Sequence, residues 1–355
     1  MNLSTNSKFL SIKYVTSLLR ASSSKPPKIK AIDSFYKGLD SDKLPLKIFK
    51  SSKPLGRTIL LYPGASPLAE EHPSMLFLAS TLAEIGFNVY IPRIPLLMKL
   101  DISEKNIRWF DNAYKQISLL DDVKESKVSC MGVSYGGAIL LKTSLSGYMN
   151  SYPPHCFFTY GTIYDIPTSL EFLMMGKLNI KGKEVQIKPH EWGLVVGFHN
   201  FLSSIDTGYN TDEIQKVLAI RVKDLKEESF TAAEKLDGIS KEVTIDVLNG
   251  KVSPEVKRII DIIQKEKIHL LDGISPRHWC KDINTKTFIM HGANDNMVPY
   301  TQSIKLSDAM LDSELFISYL YEHNEVAPKR SFSHKLKELS RLTSFFGKFI
   351  KHHEN

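Results

Sequence analysis

The sequence has 355 residues, of which 42% are hydrophobic, which is typical of a soluble globular protein with a substantial core. Its 46 Lys and Arg residues exceed its 39 Asp and Glu residues but are scattered, so the net charge of +7 does not predict nucleic-acid binding. No run approaches the roughly 18 consecutive apolar residues that span a bilayer. The three cysteines lack zinc-site spacing and predict buried, reduced thiols in a cytoplasmic protein.

The first segment, residues 1–30, contains several basic residues and many serines but no acidic residue. We predict that it is a disordered basic tail. The alternative interpretation is an organelle transit peptide, because such peptides share this composition. In that case the protein would be directed to an organelle.

A β/α rhythm follows this segment. Residues 35–49 alternate apolar and polar side chains around Gly38 and Pro45, which predicts an opening hairpin at a sheet edge. Apolar runs then alternate with segments of helical spacing, which predicts a parallel sheet covered on both faces. The predicted strands are 58–62, 87–91, 127–133 and 156–163, and the predicted helices are 72–85, 106–120 and 138–145.

This rhythm is interrupted over residues 165–281, where the pattern is mainly helical and contains no convincing buried strand. It resumes with strands at 287–291 and 315–320, a helix at 301–311 between them, and a closing helix at 331–350. The sequence therefore predicts an α/β core made of residues 31–164 and 282–355, with a helical cap or lid inserted at 165–281.

The sharpest motif is Gly-Val-Ser-Tyr-Gly-Gly at residues 132–137, between a predicted strand and a predicted helix. It matches the G-x-S-x-G nucleophile elbow in the structural context that this motif requires. Glycines on both sides of the serine permit a tight turn, and the hydroxyl then projects beside the start of a helix. We predict that Ser134 is a nucleophile.

With this elbow the sequence resembles the α/β-hydrolase superfamily. The resemblance places the triad acid after the next-to-last strand, where Asp295 stands in a Gly/Asn-rich loop. It places the histidine after the last strand, which gives His323, and His334 at the start of the closing helix is the alternative. The chain order Ser, Asp, His agrees with the superfamily in either case.

The resemblance also implies an oxyanion hole. Its donors would be the backbone N–H of Tyr135 and that of Gly64 or Ala65, although Pro63 departs from the His-Gly that relatives commonly show. A serine at the elbow, rather than an aspartate, argues against the dehalogenase and epoxide-hydrolase branches. Because the motifs for phosphate, dinucleotide and zinc binding are absent, we expect no cofactor and no metal.

The predicted cap contains apolar residues that could form the ceiling of a dry substrate pocket. The set that we assign to this pocket is Met174, Met175, Trp192 and Phe198. For any one of these residues, core packing of the cap itself is the simpler explanation. The expected partner is a small, apolar acyl substrate.

The function predicted from these residues is hydrolysis of a carboxylic ester or a related acyl bond, as in carboxylesterases and lipases. A serine hydroxyl needs a histidine to take its proton and an acid to orient the ring, so the three residues are predicted as a set. The same triad can carry out acyl transfer, thioester hydrolysis or peptide cleavage, and fold-level analogy does not choose among them. A binding protein that keeps the fold without turnover is the alternative from another class.

Overall fold

The computed structural model describes residues 4–21, 28–180, 182–187, 190–319 and 332–354. Within these ranges, eight strands form one sheet and two strands form a separate hairpin. The strands are β1 (Ile32–Lys37), β2 (Lys43–Phe49), β3 (Arg57–Tyr62), β4 (Phe87–Pro92), β5 (Lys127–Val133), β6 (Phe157–Tyr160), β7 (Lys177–Ile180), β8 (Lys183–Gln186), β9 (Thr287–Gly292) and β10 (Ser313–Ser318).

The order of strands in the large sheet is β1-β2-β4-β3-β5-β6-β9-β10. β2 runs antiparallel to β1 and β4, and the other neighbouring strands are parallel. Every residue of β3 and β9 is buried, as expected for parallel strands that are covered on both faces. The predicted mostly parallel sheet is confirmed, and the predicted hairpin forms its edge as β1 and β2.

Fifteen α-helices are found within the described ranges. None of them is both long enough and apolar enough to cross a membrane. The helices are α1 (Thr5–Ala21), α2 (Pro73–Glu84), α3 (Pro95–Met98), α4 (Asn106–Ser118), α5 (Tyr135–Thr143), α6 (Gly147–Ser151), α7 (Ile166–Met175), α8 (Glu191–Phe201), α9 (Asp212–Arg221), α10 (Lys226–Ala233), α11 (Gly238–Leu248), α12 (Pro254–Glu266), α13 (Ile268–Asp272), α14 (Thr301–Ala309) and α15 (Phe332–His352).

The helices cover both faces of the sheet over two hydrophobic clusters. One cluster joins α1, α2 and α15 to the sheet through many aromatic side chains, such as Phe158, Phe288 and Phe345. The other joins α4, α5 and α14 to the opposite face and continues into residues 166–283. Cys130, Cys156 and Cys280 are all buried and form no disulfide.

The helix α1 replaces much of the disordered tail that the sequence predicted for residues 1–30. It packs along α15. Tyr14 of α1 is only 1% exposed, and its ring centroid lies 4.2 Å from that of Phe346 in α15. Ser7 and Ser11 are also fully buried, so small polar side chains make up part of the packed face. The prediction of disorder was wrong here because a face lined partly by serines shows little apolar periodicity in the sequence.

The segment between β6 and β9 contains α7 to α13 and the hairpin β7–β8. The prediction that this segment is mainly helical agrees with these elements, but the hairpin was not predicted. All residues of β8 are exposed, so no alternation of buried side chains marks this strand in the sequence. The segment is tied to the core at Gln302, whose Oε1 accepts hydrogen bonds from the backbone N–H groups of Tyr164 and Asp165 at 3.0 and 2.8 Å.

Candidate active site

The turn between β5 and α5 holds Ser134 in a strained conformation, with φ of 53° and ψ of −130°. Such a backbone costs on the order of 1–3 kcal/mol for a residue other than glycine, so its surroundings must hold it in place. The Ser134 N–H donates to the carbonyl of Tyr160 at 2.8 Å, and the Ser134 carbonyl accepts from the Thr162 hydroxyl at 3.0 Å. Neighbouring β6 and the residues after it therefore fix the turn.

The glycines around Ser134 are required by close backbone contacts. A Cβ on Gly136 would lie 2.1 Å from the carbonyl oxygen of Pro63, and a Cβ on Gly132 would lie 2.7 Å from the Cα of Gly137. Real Cβ atoms do not make contacts this short. The G-x-S-x-G pattern of the sequence thus reflects a steric requirement that is present in this structure.

The hydroxyl of Ser134 stands at the start of α5. The residue is half-buried, and its side chain makes no capping hydrogen bond to the helix. The unpaired N–H groups of a helix N-terminus favour nearby negative charge. An alkoxide or oxyanion formed at this serine would therefore be stabilised by the helix that follows it.

The predicted oxyanion donors lie next to this serine. Tyr135 is the first residue of α5, so its N–H belongs to the helix N-terminus, and a Cβ on Gly64 would lie only 3.3 Å from the Cβ of Ser134. Ala65 follows Gly64 in the same half-buried loop. The side chain of Tyr135 is turned into the interior, where its hydroxyl donates to the carbonyl of Ser103 at 3.1 Å and burial raises its pKa well above the usual value.

The predicted acid, Asp295, lies in the loop that follows β9 and is almost fully buried. Its Oδ1 accepts hydrogen bonds from the N–H groups of Met297 and Val298 at 2.8 and 2.9 Å. A Cβ on Gly161, which follows β6, would lie 3.4 Å from its Oδ2. Since β5, β6 and β9 are neighbouring parallel strands, Ser134 and Asp295 lie at the same carboxyl edge of the sheet.

The structure gives no side-chain position for either of the two histidines that were predicted as the catalytic base. His323 lies outside the described residues. His334 belongs to the first turn of α15, but its side chain lies outside the described part of the structure. The identity of the base therefore stays a prediction.

A buried histidine beside Asp295 was not predicted from the sequence. The Nε2 of His291, in β9, lies 3.5 Å from the Oδ2 of Asp295. This nitrogen also lies 2.9 Å from the carbonyl of Val298, and Nδ1 lies 2.7 Å from the Ser303 hydroxyl. His291 thus links its strand, the acid loop and α14. Its position four residues before Asp295, in an apolar strand, was the available signal.

A second serine–histidine pair occurs at the opposite end of β5. The hydroxyl of Ser129 donates to Nε2 of His353 at 2.7 Å, because Nδ1 of that ring donates to the carbonyl of Phe349 at 2.9 Å. Ser129 and His353 are 2% and 3% exposed, so a substrate has no access to them. Burial lowers the pKa of His353 to about 3. This pair is a structural hydrogen bond between the sheet and α15.

The residues assigned to the substrate pocket lie in α7 and α8. Met174 and Phe198 are fully buried in the hydrophobic cluster that also contains side chains of α4, α5 and α14, and Met175 is nearly fully buried there. Trp192 is half-buried, with the guanidinium carbon of Arg221 3.8 Å from its ring centroid. These side chains therefore pack within the protein interior. Their role in a substrate pocket stays a prediction.

No protein-family model matches the sequence, and no curated protein matches it. Among solved structures, an acylaminoacyl peptidase of Pyrococcus horikoshii is 11% identical, with a TM-score of 0.47 over 91% of this chain and 41% of that chain. An esterase of Pyrococcus furiosus is 13% identical over 92% of this chain and 94% of that chain, also at 0.47. A 2,6-dihydroxy-pseudo-oxynicotine hydrolase is 12% identical over 92% and 70%, at 0.47. The chain thus spans 41% of the length of the peptidase.

The large sheet has eight strands in the order given above, and its second strand, β2, is antiparallel. A strained serine occupies the turn after β5. The chain has the α/β-hydrolase fold. In this fold the nucleophile elbow occupies that turn, so Ser134 stands where the nucleophile is expected. Asp295, after the next-to-last strand, stands at the position expected for the acid of the α/β-hydrolase fold.

Proposed function

We propose that the chain is a serine hydrolase that cleaves a carboxylic ester or a related acyl bond through an acyl-enzyme on Ser134. The observation that carries this proposal is the strained, half-buried Ser134 at the start of α5, beside the loop of Pro63 and Gly64. Strain of this kind persists where the surroundings hold it, and it is concentrated at functional sites.

In the proposed reaction, Ser134 Oγ attacks the acyl carbon while His323, or alternatively His334, takes the hydroxyl proton. The oxyanion of the tetrahedral intermediate accepts hydrogen bonds from the backbone N–H of Tyr135 and from that of Gly64 or Ala65. Collapse breaks the acyl–oxygen bond, and the imidazolium returns the proton to the leaving alcohol. Water then attacks the acyl-enzyme with the same histidine as base, which releases the acid and restores the serine.

The role proposed for Asp295 is supported by its hydrogen bonds. Two backbone N–H groups donate hydrogen bonds to Oδ1 and so fix the direction of the carboxyl group. A carboxylate held in this way can bind the N–H of a catalytic imidazole through Oδ2 and stabilise the imidazolium. Loss of such a partner costs on the order of 10⁴ in rate in serine proteases.

We further propose that residues 165–281 form a cap over this site. The support lies in α8, where the His199 ring and the Asn200 side chain hydrogen-bond the carbonyls of Lys99 and Leu100 at 3.1 and 3.0 Å. The chain continues from Leu100 to Ser103, whose carbonyl accepts a hydrogen bond from the hydroxyl of Tyr135. Tyr135 is the neighbour of the proposed nucleophile. Apolar residues of α7 and α8 would then line the acyl side of the pocket, which favours an apolar substrate.

The test is hydrolysis of a p-nitrophenyl ester series from acetate to palmitate, together with labelling by a fluorophosphonate. We expect Ser134→Ala to abolish labelling and to lower kcat by at least about a thousandfold, since removal of a nucleophilic serine is among the most costly changes in such enzymes. His323→Ala should lose activity, whereas His334→Ala should keep it. The chain-length optimum would give the size of the acyl pocket.

The matched control is Ser129→Ala, which removes a serine from the same strand but from the buried pair with His353. This variant should still be labelled and should keep wild-type kcat when it is folded. A wild-type protein that neither hydrolyses any ester of the series nor reacts with the fluorophosphonate would contradict the proposal and favour a binding protein.

A further inference from the structure

We propose that the ion pair between the buried Glu70 and the partly exposed Arg93 positions the loop that donates to the oxyanion. This inference rests on the proposed function, because it concerns the loop of residues 63–72 that carries Gly64 and Ala65. The two residues act through the loop backbone and are positioning residues. Nothing in the sequence motif of the nucleophile points to them.

One end of this loop is in contact with the nucleophile elbow. The carbonyl of Pro63 faces Gly136 so closely that a Cβ there would lie 2.1 Å from its oxygen, and Gly64 lies against Val133 and Ser134. The N–H groups of Gly64 and Ala65 therefore keep a fixed relation to Ser134 only while the loop keeps its path. Oxyanion donors must lie about 2.7–3.1 Å from the developing charge, so small shifts matter.

The other end of the loop is held by charge. Glu70 is fully buried, and its Oε1 accepts a hydrogen bond from Nε of Arg93 at 2.5 Å. The Nη2 atom of the same guanidinium lies 2.5 Å from Oε1 and completes the ion pair. Its Oε2 has no hydrogen-bond partner among the described residues. A carboxylate removed from water is costly unless it is paired, so the position of this one depends on the guanidinium. The preceding residue, Ala69, has a positive φ of 41°, which the same anchor must maintain.

Arg93 is itself fixed to the sheet. It directly follows β4, its N–H donates to the carbonyl of Pro45 at 3.0 Å, and its carbonyl accepts from the Tyr36 hydroxyl at 2.6 Å. Between the two ends, the N–H of Ser66 donates to the carbonyl of Leu97 at 3.1 Å. The ion pair thus connects the donor loop to β4 and, through Arg93, to β1 and β2.

This arrangement predicts a selective effect on the chemical step. The oxyanion exists in the transition state and not in the bound ester, so displaced donors lower kcat and leave KM nearly unchanged. Loss of one donor costs about 10²–10³ in kcat in other serine hydrolases. A loop that is displaced but still present should cost less, on the order of tenfold or more.

The experiment compares wild type, Glu70→Gln and Arg93→Lys as full chains. Glu70→Gln keeps the shape but removes the charge, and Arg93→Lys keeps the charge but removes the paired N–H groups of the guanidinium. Glu255→Gln is the control, because Glu255 forms a partly exposed Glu–Arg ion pair with Arg258 within α12, away from the donor loop. Active sites are counted by fluorophosphonate titration, and kcat and KM for p-nitrophenyl butyrate are expressed per titrated site.

We expect kcat per titrated site to fall about tenfold or more in Glu70→Gln and less in Arg93→Lys, with KM within about twofold of wild type, while Glu255→Gln stays at the wild-type value. If Glu70→Gln does not fold, Arg93→Lys decides. Unchanged kcat per site in the folded variants, or a rise in KM alone, overturns the inference and leaves the proposed function intact. A wild type without labelling or turnover overturns both.

Discussion

Ser129 and Ser134 belong to the same strand and its turn, yet their surroundings give them different properties. Ser129 has normal strand geometry, is buried and donates its hydroxyl to His353. Ser134 has a strained backbone, is half-buried and stands beside a helix N-terminus. About 16 Å of extended strand separates the two residues. A serine near a histidine is therefore a weak indication of catalysis unless backbone strain and access accompany it.

The neutral state of His353 has a measurable consequence for stability. Burial, the largest cause, lowers its pKa from 6.5 to about 3 in the folded state. A depressed pKa means that its contribution to stability is complete above about pH 6.5 and is lost as the pH falls toward 3. At pH 4.5 we expect a loss of about 2–3 kcal/mol from this group alone.

The measurement is the free energy of unfolding in urea from pH 7.5 to pH 4, for wild type and for His353→Gln. The glutamine stays neutral throughout, so the advantage of the wild type over the variant should shrink as the pH is lowered. His269→Gln, which removes an exposed histidine, is the control. An advantage that is constant across this range would contradict the prediction.

At the scale of elements, the sequence predicted the parts that are buried and regular. β5 was predicted with the observed bounds because an apolar strand ends there at a glycine-flanked serine. The hairpin β7–β8 was not predicted, since all residues of β8 are exposed and this strand therefore carries no hydrophobic pattern. In the site, Ser134 and Asp295 could be predicted because each stands in a recognisable loop that directly follows a predicted strand. Glu70 and Arg93 could not be predicted in this way. Their pairing depends on two loops that are distant in the sequence and meet only in the fold.

The helix α1 makes a testable contribution to stability. Tyr14 is buried against Phe346 of α15, so Tyr14→Ala should lower the free energy of unfolding by about 3–5 kcal/mol through lost burial and a cavity. Phe9→Ala on the same helix is the matched control, because Phe9 is 65% exposed. It should change stability by less than about 0.5 kcal/mol. Equal effects of the two substitutions in a urea titration would show that α1 is not packed as described.

At the scale of the whole molecule, the inserted segment and the core share one hydrophobic cluster. Leu194 and Ile259 of the insertion belong to the same continuous cluster as Leu60 and Ile139 of the core. Separate domains usually have separate cores and can unfold independently. A shared cluster couples the two parts, so the insertion is expected to lose its structure together with the sheet.

We therefore expect one cooperative unfolding transition. Trp109 lies in α4 of the core and Trp192 lies in α8 of the insertion, so each part carries a fluorescent probe. Variants that keep only one of these tryptophans, the others being replaced by Phe, should show the same urea midpoint as far-UV circular dichroism of the same variant. Two midpoints, with the Trp192 signal changing first, would mean that the insertion unfolds by itself.

The contact of α1 with α15 also bears on how the chain acquires its structure during synthesis. Ser4 donates to Glu354 at 2.7 Å, so the start of the first helix meets the end of the last one across 350 positions of sequence. At about 5–20 residues per second, a ribosome needs tens of seconds to deliver the second partner after the first. During that interval the apolar side of α1, with Tyr14 and Val15, lacks α15, the helix with which it makes its most extensive contact. Nascent chains of this protein would thus keep apolar surface of α1 exposed until their last helix emerges.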